Sequence, residues 1–210
     1  MDSLICKSVF HIQPHNKKNI FVGYNILNDY LSLSIILECN LTNKYIILDY
    51  PQWEKFSNEN TLESIFNSFS TDTNSKYPVF HLDDNFHYKI KTDSIILLKD
   101  GKCIKLHRDN LLCISRWNEL INAKITEKIN KLHIYQSCFN NTCTSIKNDI
   151  LYLPEECQRS DFIDMYIQDY KFDFENIDMD EQKTFLFELQ KFHHEQFADI
   201  LVEQLQYDRH

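Results

Sequence analysis

Lys102–Leu132, KCIKLHRDNLLCISRWNELINAKITEKINKL, decides the fold, because a basic strand runs straight into an amphipathic helix carrying a tryptophan. Ser115 can cap that helix, and Trp117, Leu120, Ile121, Ile125 and Ile129 recur at mostly three- and four-residue steps, the spacing of a single buried face. Upstream, Lys44–Phe66 reads KYIILDYPQWEKFSNENTLESIF, and its Leu48–Trp53–Phe56 has the spacings of Leu112–Trp117–Leu120. The chain therefore reads as a degenerate internal duplication of a sheet followed by a helix.

Working outward, Leu4–Ile12, Ile20–Tyr24, Leu31–Glu38 and Tyr45–Asp49 are expected strands, rich in β-branched, leucine and aromatic residues. Pro51 suits the first turn of a helix, with Asp49 or Tyr50 near the cap, and Asn58-Glu59-Asn60 should split that helix in two. Ser68–Lys76, SFSTDTNSK, is a polar linker. Beyond it, Tyr77–Leu82, Phe86–Lys91, Ser94–Lys99 and Lys102–His107 are expected strands, the last two joined by Asp100-Gly101, a strong hairpin signal; Leu111–Ile114 reads as one more short strand. His133–Gln136 and Asp149–Leu153 read as a further strand pair around a Cys138–Cys143 loop. Glu155–Tyr170 and Asp178 to about Tyr207 read as helices. The expected architecture is α+β: two antiparallel-sheet-plus-helix repeats, 1–67 and 77–132, forming an intramolecular pseudo-dimer, then a helical acidic region at 133–210.

At 210 residues, 43% hydrophobic and 25% charged, the chain can bury a core without staples. Only two glycines occur, so no glycine-rich phosphate cradle or dinucleotide fingerprint can be written. Seven cysteines at irregular spacing, with no signal peptide, imply reduced thiols in an intracellular protein of the nucleus or cytoplasm. No apolar run reaches the roughly 20 residues of a membrane span. Richness in Asn, Ile and Lys is what an AT-rich genome, viral or of a mobile element, would encode.

Charge is unevenly placed. Residues 1–150 carry 17 Lys and Arg against 16 Asp and Glu, while 151–210 carry 5 against 15, which together give the net charge of -9. The front of the chain is thus open to phosphate, and only the tail repels it. In the second repeat His87, Lys89 and Lys91 share one strand face, Lys105 shares another with His107, and Lys102 and Arg108 lie close by. With Lys44 of the first repeat, these cations are the expected backbone contacts for single-stranded nucleic acid. His87 or Tyr88 is the expected base-stacking surface, although Tyr88 points to the opposite strand face. The bland alternative is a solvated strand face neutralised by Asp83, Asp84, Asp93, Asp100 and Asp109.

The strand Ile46-Ile47-Leu48 running into Pro51-Gln52-Trp53-Glu54-Lys55-Phe56 resembles the positive cofactor four family of single-stranded-DNA-binding transcriptional coactivators; Ile104-Lys105-Leu106 before Trp117 is a looser second copy. Over residues 19–131 the resemblance implies dimerisation through helices and binding of single strands on paired sheets. A tandem duplication of the viral or transposon-encoded kind would make that dimer within one chain.

Other chemistry is weakly written. Cys138, Cys143, Cys157 and His133 lack tight zinc-knuckle spacing, and His193-His194-Glu195 lacks the spacing that puts two imidazoles on one helix face. Asp178, Asp180, Glu188 and Lys191 read as solvated helix charges rather than nuclease ligands. No catalytic residue, metal or cofactor is expected. Phe185, Leu189, Phe192, Phe197 and Leu201 wrap more than one face of the last helix, which should seek a protein partner or a second copy. The acidic tail could also fold over the basic sheet as an autoinhibitory element. The leading expectation is a non-enzymatic single-stranded nucleic-acid-binding protein acting in replication or transcription. The alternative is an interaction module or scaffold that keeps the fold without nucleic acid and recruits a partner through its C-terminal helices.

Overall fold

A computed structural model of the chain describes residues 4–13, 17–27, 30–69, 78–150, 184, 185 and 187–189. Its strands are β1 (Ile5–His11), β2 (Lys18–Leu27), β3 (Tyr30–Cys39), β4 (Lys44–Leu48), β5 (Val79–His81), β6 (Phe86–Lys91), β7 (Ser94–Lys99) and β8 (Lys102–His107). They form two four-stranded sheets in the meander orders β1-β2-β3-β4 and β5-β6-β7-β8. The first is followed by α1 (Tyr50–Ser57) and α2 (Glu59–Ser68), the second by α3 (Arg108–Ile150). The fold is α+β with two antiparallel sheet-plus-helix repeats, as the duplication implies. Residues 184, 185 and 187–189 are helical.

The chain divides into two compact units, Lys7–Gly23 with Leu33–Lys128, and Met1–Cys6 with Tyr24–Ser32 and Ile129–His210. In the first, both repeats share one core. Ile20, Val22, Ile35, Leu37, Ile46, Leu48, Trp53 and Phe56 join Phe86, Ile90, Ile95, Leu97, Ile104, Leu106, Leu111 and Ile114. Phe56 meets Phe86 of the other repeat edge to face, with ring centroids 6.3 Å apart. β4 also lies alongside β8, so the two sheets meet at these edges.

Helix starts follow from side-chain caps. Asp49 accepts from the Gln52 backbone N–H at 2.9 Å while Gln52 Oε1 accepts from the Asp49 N–H at 3.3 Å, a capping box with Pro51 in the first turn. Such a cap stabilises a helix by about 1 kcal/mol. Asn58 ends α1 and caps α2 through the Asn60 N–H, which is the expected interruption. In the second repeat Asn110 Oδ1 accepts from the His107 N–H at 3.0 Å, three residues back, just as Gln52 does from Asp49.

That match fixes the true register of the duplication. Leu48, Trp53 and Phe56 correspond to Leu106, Leu111 and Ile114, and all six are 0% exposed. The expected counterparts Leu112, Trp117 and Leu120, six positions later, are 36%, 44% and 45% exposed. Trp117 is therefore no core anchor, and the buried face of α3 runs through Leu111, Ile114, Ile121 and Ile125 while Ile129 is exposed. The helix begins at Arg108 without a Ser115 cap, and Leu111–Ile114 is its first turns rather than a strand.

Two further expectations are corrected. His133–Gln136 is helical, as is the Cys138–Cys143 stretch, so no strand pair opens there and the segment extends α3. The β-branched and aromatic residues of this segment favour strands locally, but burial of Tyr135, Cys138, Phe139 and Cys143 at helical spacing overrides that preference. In this second unit the Leu31 N–H donates to Gln136 Oε1 at 2.6 Å, and Tyr135 stacks on Phe185 at 4.9 Å. Expected helices and strands within 151–183 and 190–210 lie outside the described residues.

Candidate nucleic-acid interface

Strand alternation assigns every candidate to a face. On β6, Phe86, Tyr88 and Ile90 are buried, which turns His87, Lys89 and Lys91 outward. On β8, Ile104 and Leu106 are buried, which turns Cys103, Lys105 and His107 outward. The register brings these together in rows. Lys89 pairs with Ile96 and Ile96 with Lys105, while His81 pairs with His87, and Lys91 with Ser94, itself opposite His107. Lys89, Lys91 and Lys105 thus share one sheet face with three imidazoles.

His81 and His87 have ring centroids 5.4 Å apart. At the other end of the face His107 Nδ1 lies 3.4 Å from Asp93 Oδ2. The Ser94 hydroxyl, 3.0 Å from Asp93 Oδ1, holds this carboxyl below its ordinary range, with Lys105 and His107 adding to the effect. Asp93 therefore stays ionised and neutralises part of the face at the His107 end.

Tyr88 is corrected: it points into the core at 4% exposure, stacked on Phe80 at 5.0 Å, and burial pushes its hydroxyl above the ordinary tyrosine range. No bulge turns it outward, so its ring is closed to a base. Arg108 is exposed at the start of α3, where its backbone N–H donates to Asp93 O at 3.1 Å.

Lys44 and Lys102 come together where β4 meets β8. Lys44 Nζ lies 4.0 Å from Cys103 Sγ, and Lys102 Nζ sits 4.0 Å from the centroid of the Tyr45 ring. Tyr45 is half-buried on the face of β4 opposite Ile46 and Leu48. Phe21, on the face of β2 opposite Ile20 and Val22, carries Lys7 Nζ 5.7 Å from its centroid. Sequence reasoning missed both aromatic residues. Alternation could have placed them on outward faces, but their cations are distant in sequence or on another strand.

Phe185 and Leu189, expected to meet a partner, are 1% and 0% exposed and so belong to the chain's own interior; Phe187 between them is exposed. Phe192, Phe197 and Leu201 lie outside the described residues. Cys138 and Cys143 are buried, and burial pushes the Cys138 thiol up to about 11, which disfavours the thiolate a zinc site needs. Among the described residues no group of three or more His, Cys, Asp or Glu side chains could hold a metal ion. Among them, too, no helix is long and apolar enough to cross a membrane. No protein-family model, curated protein or solved structure matches the chain.

Proposed function

We propose that the chain binds single-stranded nucleic acid across the outward face of its second sheet and the seam between β8 and β4. The observation that carries this reading is the grouping of Lys89, Lys91 and Lys105 on one face, with Lys102 over the Tyr45 ring and Lys44 beside Cys103 at the neighbouring seam. Cations that follow a backbone supply affinity by counterion release, and an aromatic among them supplies stacking that tolerates any base. The resemblance to the positive cofactor four family supports the same reading and a role in replication or transcription, and the Asn, Ile and Lys richness supports a viral or mobile genome.

A second reading, a protein-interaction module, is favoured by the exposure of Leu112, Trp117 and Leu120 on α3. Fluorescence anisotropy of a labelled single strand of roughly 20 nucleotides, longer than one module usually covers, separates the two. Binding should weaken steeply as salt rises, and the double substitution Lys89→Gln/Lys105→Gln should reduce the slope of log affinity against log salt by about 1.4, near 0.7 for each lost phosphate contact. Absence of binding at low salt would discard the nucleic-acid reading and leave the interaction module.

A further inference from the structure

Resting on the nucleic-acid reading, the geometry points to Tyr45 as the platform on which an unpaired base stacks, with Lys102 as the gate over that platform. Tyr45 lies at the seam of the two sheets, where β4 runs beside β8. Its ring faces away from the Ile46 and Leu48 side of the strand and is half-buried, so it is fixed in place yet open to a ligand. Lys102 Nζ stands 4.0 Å from the ring centroid, and Lys44, the neighbour of Tyr45 in the chain, reaches across the seam to Cys103 Sγ at 4.0 Å. One ammonium therefore lies over the aromatic face, and a second stands at the same seam beside Cys103.

An ammonium and a nucleobase compete for the same π surface, and the base makes the larger contact. Lysine is a point charge on a flexible four-carbon stem, so on displacement Lys102 can transfer from the ring to the phosphate of the incoming nucleotide. The exchange leaves no charge unpartnered: the ring gains a base and the ammonium gains an anion. Lys105 is outward on the same strand as Lys102, and the register carries its row on to Lys89. Alternation puts Lys102 on the Ile104 and Leu106 side of β8, so the Tyr45 platform is a contact separate from this row. Paired bases in a duplex are stacked on one another and offer no free π face, so this platform selects unpaired strands. The site is distinct from the His87 surface within the second sheet, because it exists only where both repeats meet.

The test combines a covalent probe of the unaltered protein with substitutions. Irradiation of full-length protein with a roughly 20-nucleotide strand containing 5-iodouracil, followed by peptide mass spectrometry, should place an adduct on Tyr45, since a length of this order spans more than one module. In anisotropy titrations Tyr45→Ala should weaken binding roughly 5- to 150-fold without altering the salt slope, while Tyr45→Phe should stay within about twofold. Lys102→Gln should reduce the slope by about 0.7. Unchanged thermal melting of each variant establishes that it is folded. If Lys89→Gln/Lys105→Gln weakens binding while Tyr45→Ala does not and no adduct forms on Tyr45, the platform is wrong and the interface stands. If the unaltered protein binds no single strand, both fall together.

Discussion

Lys18 Nζ lies 2.9 Å from Asn110 Oδ1, a buried bond between side chains 92 residues apart that joins the first sheet to the start of the second repeat's helix. It has a counterpart in the reverse direction, where Lys99 Nζ of the second sheet lies 2.5 Å from Gln52 Oε1 at the start of α1. Gln52 and Asn110 are equivalent residues, each also accepting the backbone N–H three residues before it. Each repeat thus lends a lysine to the helix terminus of the other. The two lysines come from non-equivalent strands, β2 and β7, so equivalent helix starts are held by different parts of the opposite sheet.

Asn110 should be the costlier residue of that joint to lose. Its Nδ2 donates to Ile12 O at 3.1 Å, and its Oδ1 serves both Lys18 and the His107 N–H. Asn110→Ala leaves a buried ammonium, a carbonyl and an N–H without these partners, and should destabilise by about 3 kcal/mol. Lys18→Met removes the buried charge itself and should stay within about 1 kcal/mol of the parent. Burial pushes the Lys18 amine below its ordinary value of 10.5, with Lys105 adding to this and Cys39 opposing it. A depressed folded value means that the parent gains stability as pH rises from that value towards 10.5, where the burial penalty vanishes. Urea unfolding should therefore show Lys18→Met faring best against the parent near neutrality, with its relative standing falling as pH approaches 10.5. The same difference at both pH values would contradict the assignment.

The two tryptophans should behave oppositely. Trp53 is 0% exposed and its Nε1 donates to Asn122 Oδ1 at 3.0 Å, whereas Trp117 is 44% exposed. Trp53→Ala should cost about 3–5 kcal/mol, from the cavity and the lost bond, and Trp117→Ala within about 0.5 kcal/mol. Acrylamide should quench the fluorescence of a Trp53→Phe protein, which retains Trp117, far more than that of a Trp117→Phe protein. Equal quenching would show that the duplication had been put in the wrong register.

Local chemistry made most elements legible. β6 and β8 fall on their expected residues because they alternate, β7 because it is a short apolar run between turn residues, and Pro51 and Asn58 punctuate α1 and α2. The repeat register was not legible, because Trp117 imitates Trp53 by residue type while Leu111 holds its place in the core. A tryptophan is the most conspicuous residue to align on, but burial rather than identity defines equivalence. The Lys44–Lys102 cluster was half legible. Both lysines could be nominated by charge, yet Tyr45 gains its meaning only from an ammonium 57 positions away, brought there by the meeting of β4 and β8. Partner residues at Phe185 and Leu189 failed for a related reason: an apolar helix face shows that something covers it, and here the chain itself does.

The hairpin at Asp100-Gly101 offers a test of backbone strain alone. Both residues have positive φ, 49° and 75°, and a Cβ added at Gly101 would meet nothing within 4 Å. Gly101→Ala should therefore cost about 1 kcal/mol from conformation and not from collision, and Gly101→Asn less, since Asn tolerates this region. Thermal unfolding of the two variants checks the order. A larger loss with Asn than with Ala would mean that space, not φ, limits the site.

Thiol reactivity should separate buried from partly exposed cysteines in the folded chain. Cys138 is 1% exposed, and burial pushes its thiol up to about 11 against a backbone hydrogen bond that pulls the other way. At pH 8 only about one thousandth of it would be thiolate, the reactive form, even if a reagent could reach it. Cys6, Cys103 and Cys113 are partly exposed, and iodoacetamide followed by mass spectrometry should find them modified well before Cys138. The same shift sets a stability window. A folded value raised above the ordinary 9.0 favours the protonated thiol, so its contribution is complete below 9.0 and is lost as pH rises towards about 11. Cys138→Ala should lower stability at neutral pH by leaving a small cavity, yet flatten the decline across that alkaline interval. If Cys138 is modified as quickly as Cys103, or if the alkaline decline is the same in the variant, the burial of this thiol is not what controls its protonation.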